Sequence, residues 1–235
     1  MRQMSNTRTV SQEVVNGDIK LSTKIWAPED YIPQDVKNML AEDTPNYMLS
    51  FMKVLEQLKV QRRTGWLDHG MTKCESIADH MYRMGIISML IKNKEVNKDQ
   101  CVKIALIHDM AESLVGDITP VDPIGKEEKH RREMETINYI SETLIKPFNE
   151  EAAEEIKSLW YSYENITSLE ARYVKDIDKY ELLVQCFEYE KQHKAKLNFQ
   201  SFFQAAEWVK TDEVKEWIND LIARRDRFFA SLEKS

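Results

Sequence analysis

Along most of this chain apolar residues recur at three- and four-residue spacing, and strand-type alternation is nowhere sustained, so the pattern predicts helices. Pro33 opens a short helix through Val36, Met39 and Leu40. From Tyr47 to Val60, Met48, Phe51, Met52, Leu55 and Leu58 form an amphipathic face. Ser76 can cap a helix whose buried stripe is Ile77, Met84, Ile87 and Ile91, with His80 on the same stripe. A polar turn from Lys92 to Lys98 precedes a helix that starts at Gln100 and runs into an apolar stretch, Ile104 to Ile107. Mixed charges at i,i+4 predict an exposed helix from Lys126 to Glu135, with His130 on the surface. Ala152 to Glu164 is a further helix with Ile156, Leu159, Trp160 and Tyr163 on one face. Leu169 to Glu190 carries the stripe Tyr173, Ile177, Tyr180, Val184 and Phe187. Aromatic-rich helices from Phe199 to Lys234, with Phe202, Phe203, Trp208, Trp217, Phe228 and Phe229, read as packing or a subunit contact. The expectation is an all-α fold.

Residues 1–24 are polar and without a periodic face, so they read as a disordered leader with a weak strand tendency at Val10 to Val15. Residues 25–235 then form a single helical domain, a length that suits one good-sized core. Six Gly and six Pro argue against a turn-dense β fold. A formal net charge of −7 argues against broad binding to a nucleic-acid backbone. It leaves room for a small anionic substrate, because a bound cation can reverse the local sign. Cys74, Cys101 and Cys186 have neither paired nor metal-type spacing and read as reduced thiols. No run of eighteen apolar residues exists, and the first residues lack an apolar signal region, so the expectation is a cytoplasmic protein away from membranes.

Charge in the wrong place changes the picture. His108 and Asp109 stand side by side directly after Ile104–Ile107. Glu112 follows His108 at i+4, so both point from one helix face, and Gly116 stops the helix before Asp117. An imidazole and three carboxylates in a greasy segment are costly unless paired or metal-bound. A plain His–carboxylate pair is one reading; a divalent metal site is the other. His80 is open to the same two readings. Asp176 and Asp178 flank Ile177 at about 100° on either side, so both cannot face one site. The row through Ala171, Val174 and Leu182 is the more apolar, which favours Asp178 as the buried acid. Arg62 and Arg63, close to Trp66, are either a solvated helix end or a grip on an anion and a ring.

The order His80, His108-Asp109, Asp178 resembles the HD-domain metal-dependent phosphohydrolases. The stretches R-T-G-W (63–66), E-S-I-A-D-H-M-Y-R-M (75–84), H-D-M-A-E-S-L-V-G-D-I-T-P (108–120), K-E-E-K-H-R-R-E (126–133) and V-K-D-I-D-K (174–179) are similar to the eukaryotic HD-domain-containing 5′-deoxynucleotidase family, over about residues 45–190. The resemblance implies that His80, His108, Asp109 and Asp178 bind a divalent ion: cobalt, manganese, magnesium or zinc. It implies a catalytic role, or ligation of a second ion, for Glu112 and Asp117, joined there by the Ile118 carbonyl. It implies that Arg63 and Trp66 hold a deoxynucleoside 5′-monophosphate, with Arg62 as an alternative, and that the protein is a homodimer, cytoplasmic and also nuclear. A dNTP triphosphohydrolase, a cyclic-nucleotide phosphodiesterase and a nucleotide sensor without turnover share the same ligand order and stay open on sequence alone.

Overall fold

The structure is a computed structural model and describes residues 11–15, 18–22, 25–197 and 199–232. Most of the polar leader lies outside the described residues. Within it, β1 (Ser11–Val15) and β2 (Asp18–Ser22) pair antiparallel, so the weak strand tendency there finds a partner strand. From residue 25 onward the described chain is helical. A 3-10 turn at Pro28–Asp30 leads to α1 (Gln34–Leu40), α2 (Tyr47–Val60) and α3 (Thr64–Asp68). Then come α4 (Ile77–Met89), α5 (Lys98–Ala105), α6 (Glu112–Val115) and α7 (Lys126–Tyr139), which widens into a π-helical turn at Ile140–Ile145. The last three are α8 (Glu150–Asn165), α9 (Leu169–Gln192) and, after a 3-10 stretch at Gln200–Trp208, α10 (Asp212–Leu232). No helix among the described residues is long and apolar enough to cross a membrane.

Local chemistry sets several of these starts. The side chains of Asn46, Asn97 and Ser168 accept the backbone N–H three residues on, from Leu49, Gln100 and Ala171, and so cap α2, α5 and α9. Gly116, at φ 83°, ends α6 in a conformation that a side chain would strain.

The chain divides into two compact units, each made of two separate stretches. The first comprises Met1–Ala78 and Asp109–Lys157. In it α2 packs against α1, α6 and the π turn, and α7 packs against α6. The face of α2 that is buried is Phe51, Val54 and Leu58, whereas Met48 and Met52 are exposed. The expected stripe is therefore rotated by part of a turn. The charged segment in α7 is also less exposed than its composition suggests. Arg131 and Arg132 both grip Glu128, and those bonds hold its carboxyl down to about 2. Arg131 reaches the Trp26 carbonyl as well, and Arg132 lies over the Trp26 ring. His130 is half-buried, not on the open surface.

The second unit comprises Asp79–His108 and Ser158–Ser235, with α9 at its centre, packed by α5, by α10 and by the 3-10 stretch. Because neighbours cover it on most sides, α9 buries polar as well as apolar residues, among them Asp176, Glu181 and Glu190. Asp176 takes the backbone N–H groups of Lys210 and Thr211, at 2.9 and 2.7 Å, just before α10 begins. An anionic acceptor suits a helix start. Asp176→Ala should destabilise the protein by about 2–3 kcal/mol, since two N–H groups lose a buried, charged partner. A urea midpoint unchanged from wild type would refute that account of Asp176.

Candidate functional site

Each unit holds one cluster of the predicted residues. In the second unit, α4 carries His80 and the segment after α5 carries His108. Both rings are buried, with centroids 5.5 Å apart. His108 does not continue a helix toward Glu112 as its spacing suggests. α5 ends at Ala105, a run of turns follows, and the His108 ring bonds the Ala105 carbonyl through Nδ1 at 2.8 Å. That bond sets the tautomer and leaves Nε2 to face outward from its own backbone. Asp178 Oδ1 lies 3.3 Å from His80 Nε2, and the Tyr163 hydroxyl donates to Asp178 Oδ2 at 3.2 Å. The Tyr163 ring also lies beside His108, at 4.8 Å between centroids.

The expectation about the two α9 acids is half met. Asp178 does face His80, but Asp176 is the fully buried one, and Asp178 keeps 29% of its side chain exposed. The row argument fails because α9 is packed on most sides, so neither row marks a single inner face.

In the first unit, Asp109, Glu112, Asp117 and Arg63 come together. Arg63 Nη1 pairs with Asp109 Oδ2 at 3.3 Å. Asp117 Oδ2 accepts the Thr64 N–H at 2.7 Å, which fixes the turn that carries Arg63. Gln61 donates to the Glu112 carbonyl at 3.2 Å. The Glu112 carboxyl itself is buried, and its Oε2 has no hydrogen bond among the described residues. Burial first, and then the charges on Asp109 and Asp117, push Glu112 well above the ordinary carboxylate range, against the pull of Arg63 and Lys129. A carboxyl that holds its proton more tightly than usual, in a cluster of acids, is a candidate for proton transfer.

Lys129 was not a sequence candidate, because it sits in a charged segment that reads as solvated. Its ammonium donates to the Ile118 carbonyl at 3.0 Å and pairs with Glu133. Burial pulls Lys129 down, but Glu133, Glu112, Asp109 and Asp117 outweigh it and hold its charge firmly. The carbonyl expected to serve a second ion thus has a lysine cation on it.

Trp66 is a correction. It was expected to offer a flat face to a base or sugar, yet it is fully buried, with its indole N–H donated to Glu75 at 3.1 Å. It packs the turn beneath Arg63. Arg62 is likewise structural, bonded to the Cys74 carbonyl at 3.0 Å. Cys74, Cys101 and Cys186 are buried and none is in a disulfide, and burial pushes the Cys101 thiol to about 12, which makes it a poor nucleophile.

The donor set decides what the histidine cluster can hold. In the second unit His80 and His108 bring two imidazoles together, and the Asp178 carboxylate lies beside His80. Two imidazoles with carboxylates suit a first-row divalent metal.

Comparison with known proteins agrees with this chemistry. The family model described as HD domain matches residues 55–220. The chain is 61% identical over 232 residues to 5′-deoxynucleotidase YBR242W of Saccharomyces cerevisiae, covering 99% of this chain and 97% of that one. It is 40% identical over 185 residues to human 5′-deoxynucleotidase HDDC2, covering 78% and 89%. Among solved structures, it is similar to HD domain-containing protein YGK1, at 46% identity and a TM-score of 0.69, covering 87% of this chain and 99% of that one.

Proposed function

The chain belongs to the HD-domain family, and from that premise we propose that it is a metal-dependent 5′-deoxynucleotidase, converting 2′-deoxynucleoside 5′-monophosphates to deoxynucleoside and phosphate. What supports the reading is near full-length similarity to relatives of that name, together with the imidazole and acids of the run His108 to Asp117. His80, His108, Asp109 and Asp178 are the ligands of this reading.

When bound, a divalent metal lowers the pKa of a water and polarises a phosphoryl oxygen. The chain's own residues do the rest. Glu112 holds a proton on its buried carboxyl and gives it to the departing 5′-oxygen. Arg63 offers its guanidinium to the phosphoryl oxygens, and Asp117 keeps the Arg63 turn in place through Thr64. Lys129 adds a second fixed positive charge beside the acids, which lowers the cost of bringing a dianion to them. The same reading includes a homodimer and a cytoplasmic enzyme that also enters the nucleus.

The test is phosphate release from dAMP, dGMP, dCMP, dTMP and dUMP beside AMP. Metal-stripped protein is assayed with cobalt, manganese, magnesium or zinc restored in turn, and with Asp178→Ala as control. Metal-dependent release from the deoxy forms, lost in the control, is expected. Release of triphosphate from dNTPs without release from monophosphates would replace this reading with a triphosphohydrolase.

A further inference from the structure

Behind His80 stands a residue with no part in the reaction described so far. Glu181 is fully buried on α9, three residues after Asp178 and hence on a neighbouring part of the same helix surface. Its Oε2 lies 2.5 Å from His80 Nδ1. Its Oε1 takes Arg83 Nε at 2.6 Å, and a second guanidinium nitrogen also pairs with it. Arg83 in turn follows His80 by three residues on α4. The two helices that carry His80 and Asp178 therefore also carry, one turn along, the pair that backs His80.

A neutral imidazole has one N–H and one lone pair. An ionised carboxylate only accepts, so Glu181 draws the N–H to Nδ1 and leaves the lone pair on Nε2, the nitrogen that faces Asp178. The Arg83 guanidinium pairs with Glu181 and fixes its carboxylate plane. With that tautomer, His80 Nε2 and Asp178 are two electron-pair donors facing one another 3.3 Å apart, an arrangement that calls for a cation. We propose that Glu181, held by Arg83, is a positioning residue that fixes the ring orientation and Nδ1–H tautomer of His80 and so sets the affinity for the metal. The inference rests on the reading of His80 as a metal ligand.

The experiment is titration of metal-stripped wild type, Glu181→Gln and Glu181→Asp with Co²⁺ by calorimetry and visible absorption. Outer-shell partners of this kind are worth about 10–100-fold in metal affinity. Glu181→Gln should lose affinity within that range, because its amide can donate to Nδ1 and permit the other tautomer. Glu181→Asp should recover part of it. At saturating Co²⁺ the Gln variant should regain most of its kcat with KM unchanged, which a residue touching substrate would not do. Equal affinity in wild type and the Gln variant overturns the inference. Absence of Co²⁺ binding by wild type overturns instead the metal reading beneath it. A second measurement needs no variant: long-range ¹H–¹⁵N correlation of the histidine rings in Zn²⁺-loaded wild type. A proton on His80 Nδ1 is expected, and one on Nε2 refutes the assignment even if both variants fail to fold.

Discussion

Glu112→Gln is expected to lower kcat by about 10²- to 10⁴-fold, the usual worth of a positioned acid or base, while Co²⁺ binding at the histidine cluster persists. Gln keeps the shape and one acceptor oxygen but has no proton to give at the leaving oxygen. The same substitution should stabilise the metal-free protein. Glu112 is buried with an oxygen that no described residue satisfies, and burial followed by Asp109 and Asp117 raises its pKa. A folded-state pKa above the unfolded one means that the folded protein holds the proton more tightly. Its stability is then lost as pH rises from the ordinary carboxylate value through the raised one. Gln cannot ionise and escapes that loss. Urea midpoints of the metal-free proteins should differ little near about pH 4, and the variant should lead increasingly toward about pH 8. Opposite signs on activity and stability mark a group kept for chemistry. A variant that turns over at the wild-type rate removes Glu112 from the mechanism, whatever its stability.

How much of this was legible before any coordinates depends on what each residue answers to. The limits of α2 follow from Asn46 and the apolar spacing of Tyr47–Val60, both local signals. His80 and the His108-Asp109 pair drew notice because an imidazole or acid in an apolar stretch is conspicuous against its neighbours, whereas Asp178 rested on the resemblance to the HD-domain order, its row argument having failed. The break after Ala105 was not, because Ile104 to Ile107 continues the helical period while the backbone turns away from it. Trp66 was misjudged for a tertiary reason: its partner Glu75 lies beyond a turn, and only the fold shows that they meet. Lys129 and Glu181 are the instructive misses. Lys129 lies in a charged segment that reads as solvated and is half-buried in the fold, and Glu181, off the apolar stripe of its helix, is fully buried because α9 is covered on most sides. A usable signal did exist for Glu181, an acid three residues after a candidate ligand on one helix.

Arg225→Ala should cost the protein about 3–5 kcal/mol of stability, the usual penalty for stranding one half of a buried ion pair. Arg225 on α10 binds Glu190 on α9 through Nε at 2.7 Å and Nη2 at 2.8 Å, and its Nη1 reaches Gln200 at 2.8 Å. The guanidinium also lies over the rings of Phe203 and Phe229. Glu190 is fully buried and accepts the Phe199 N–H as well, so one carboxylate ties the end of α9 to both segments that follow it. Removal of the arginine leaves that carboxylate without its counter-charge in a dry setting. The loss should therefore come from Glu190 more than from missing contacts, and a second substitution separates the two. Arg225→Met keeps the apolar stem beside the phenylalanines, and Glu190→Gln removes the stranded charge while keeping an acceptor for Phe199. The double variant should be more stable than Arg225→Met alone, although the second change also deletes a wild-type group. If the double variant is no better, the pair is worth its packing only and the electrostatic account fails. The defect should stay out of the chemistry. Glu190 follows Asp178 by twelve residues, about 18 Å along a helix. Well below its lowered melting temperature, Arg225→Ala should bind Co²⁺ and turn over as wild type does.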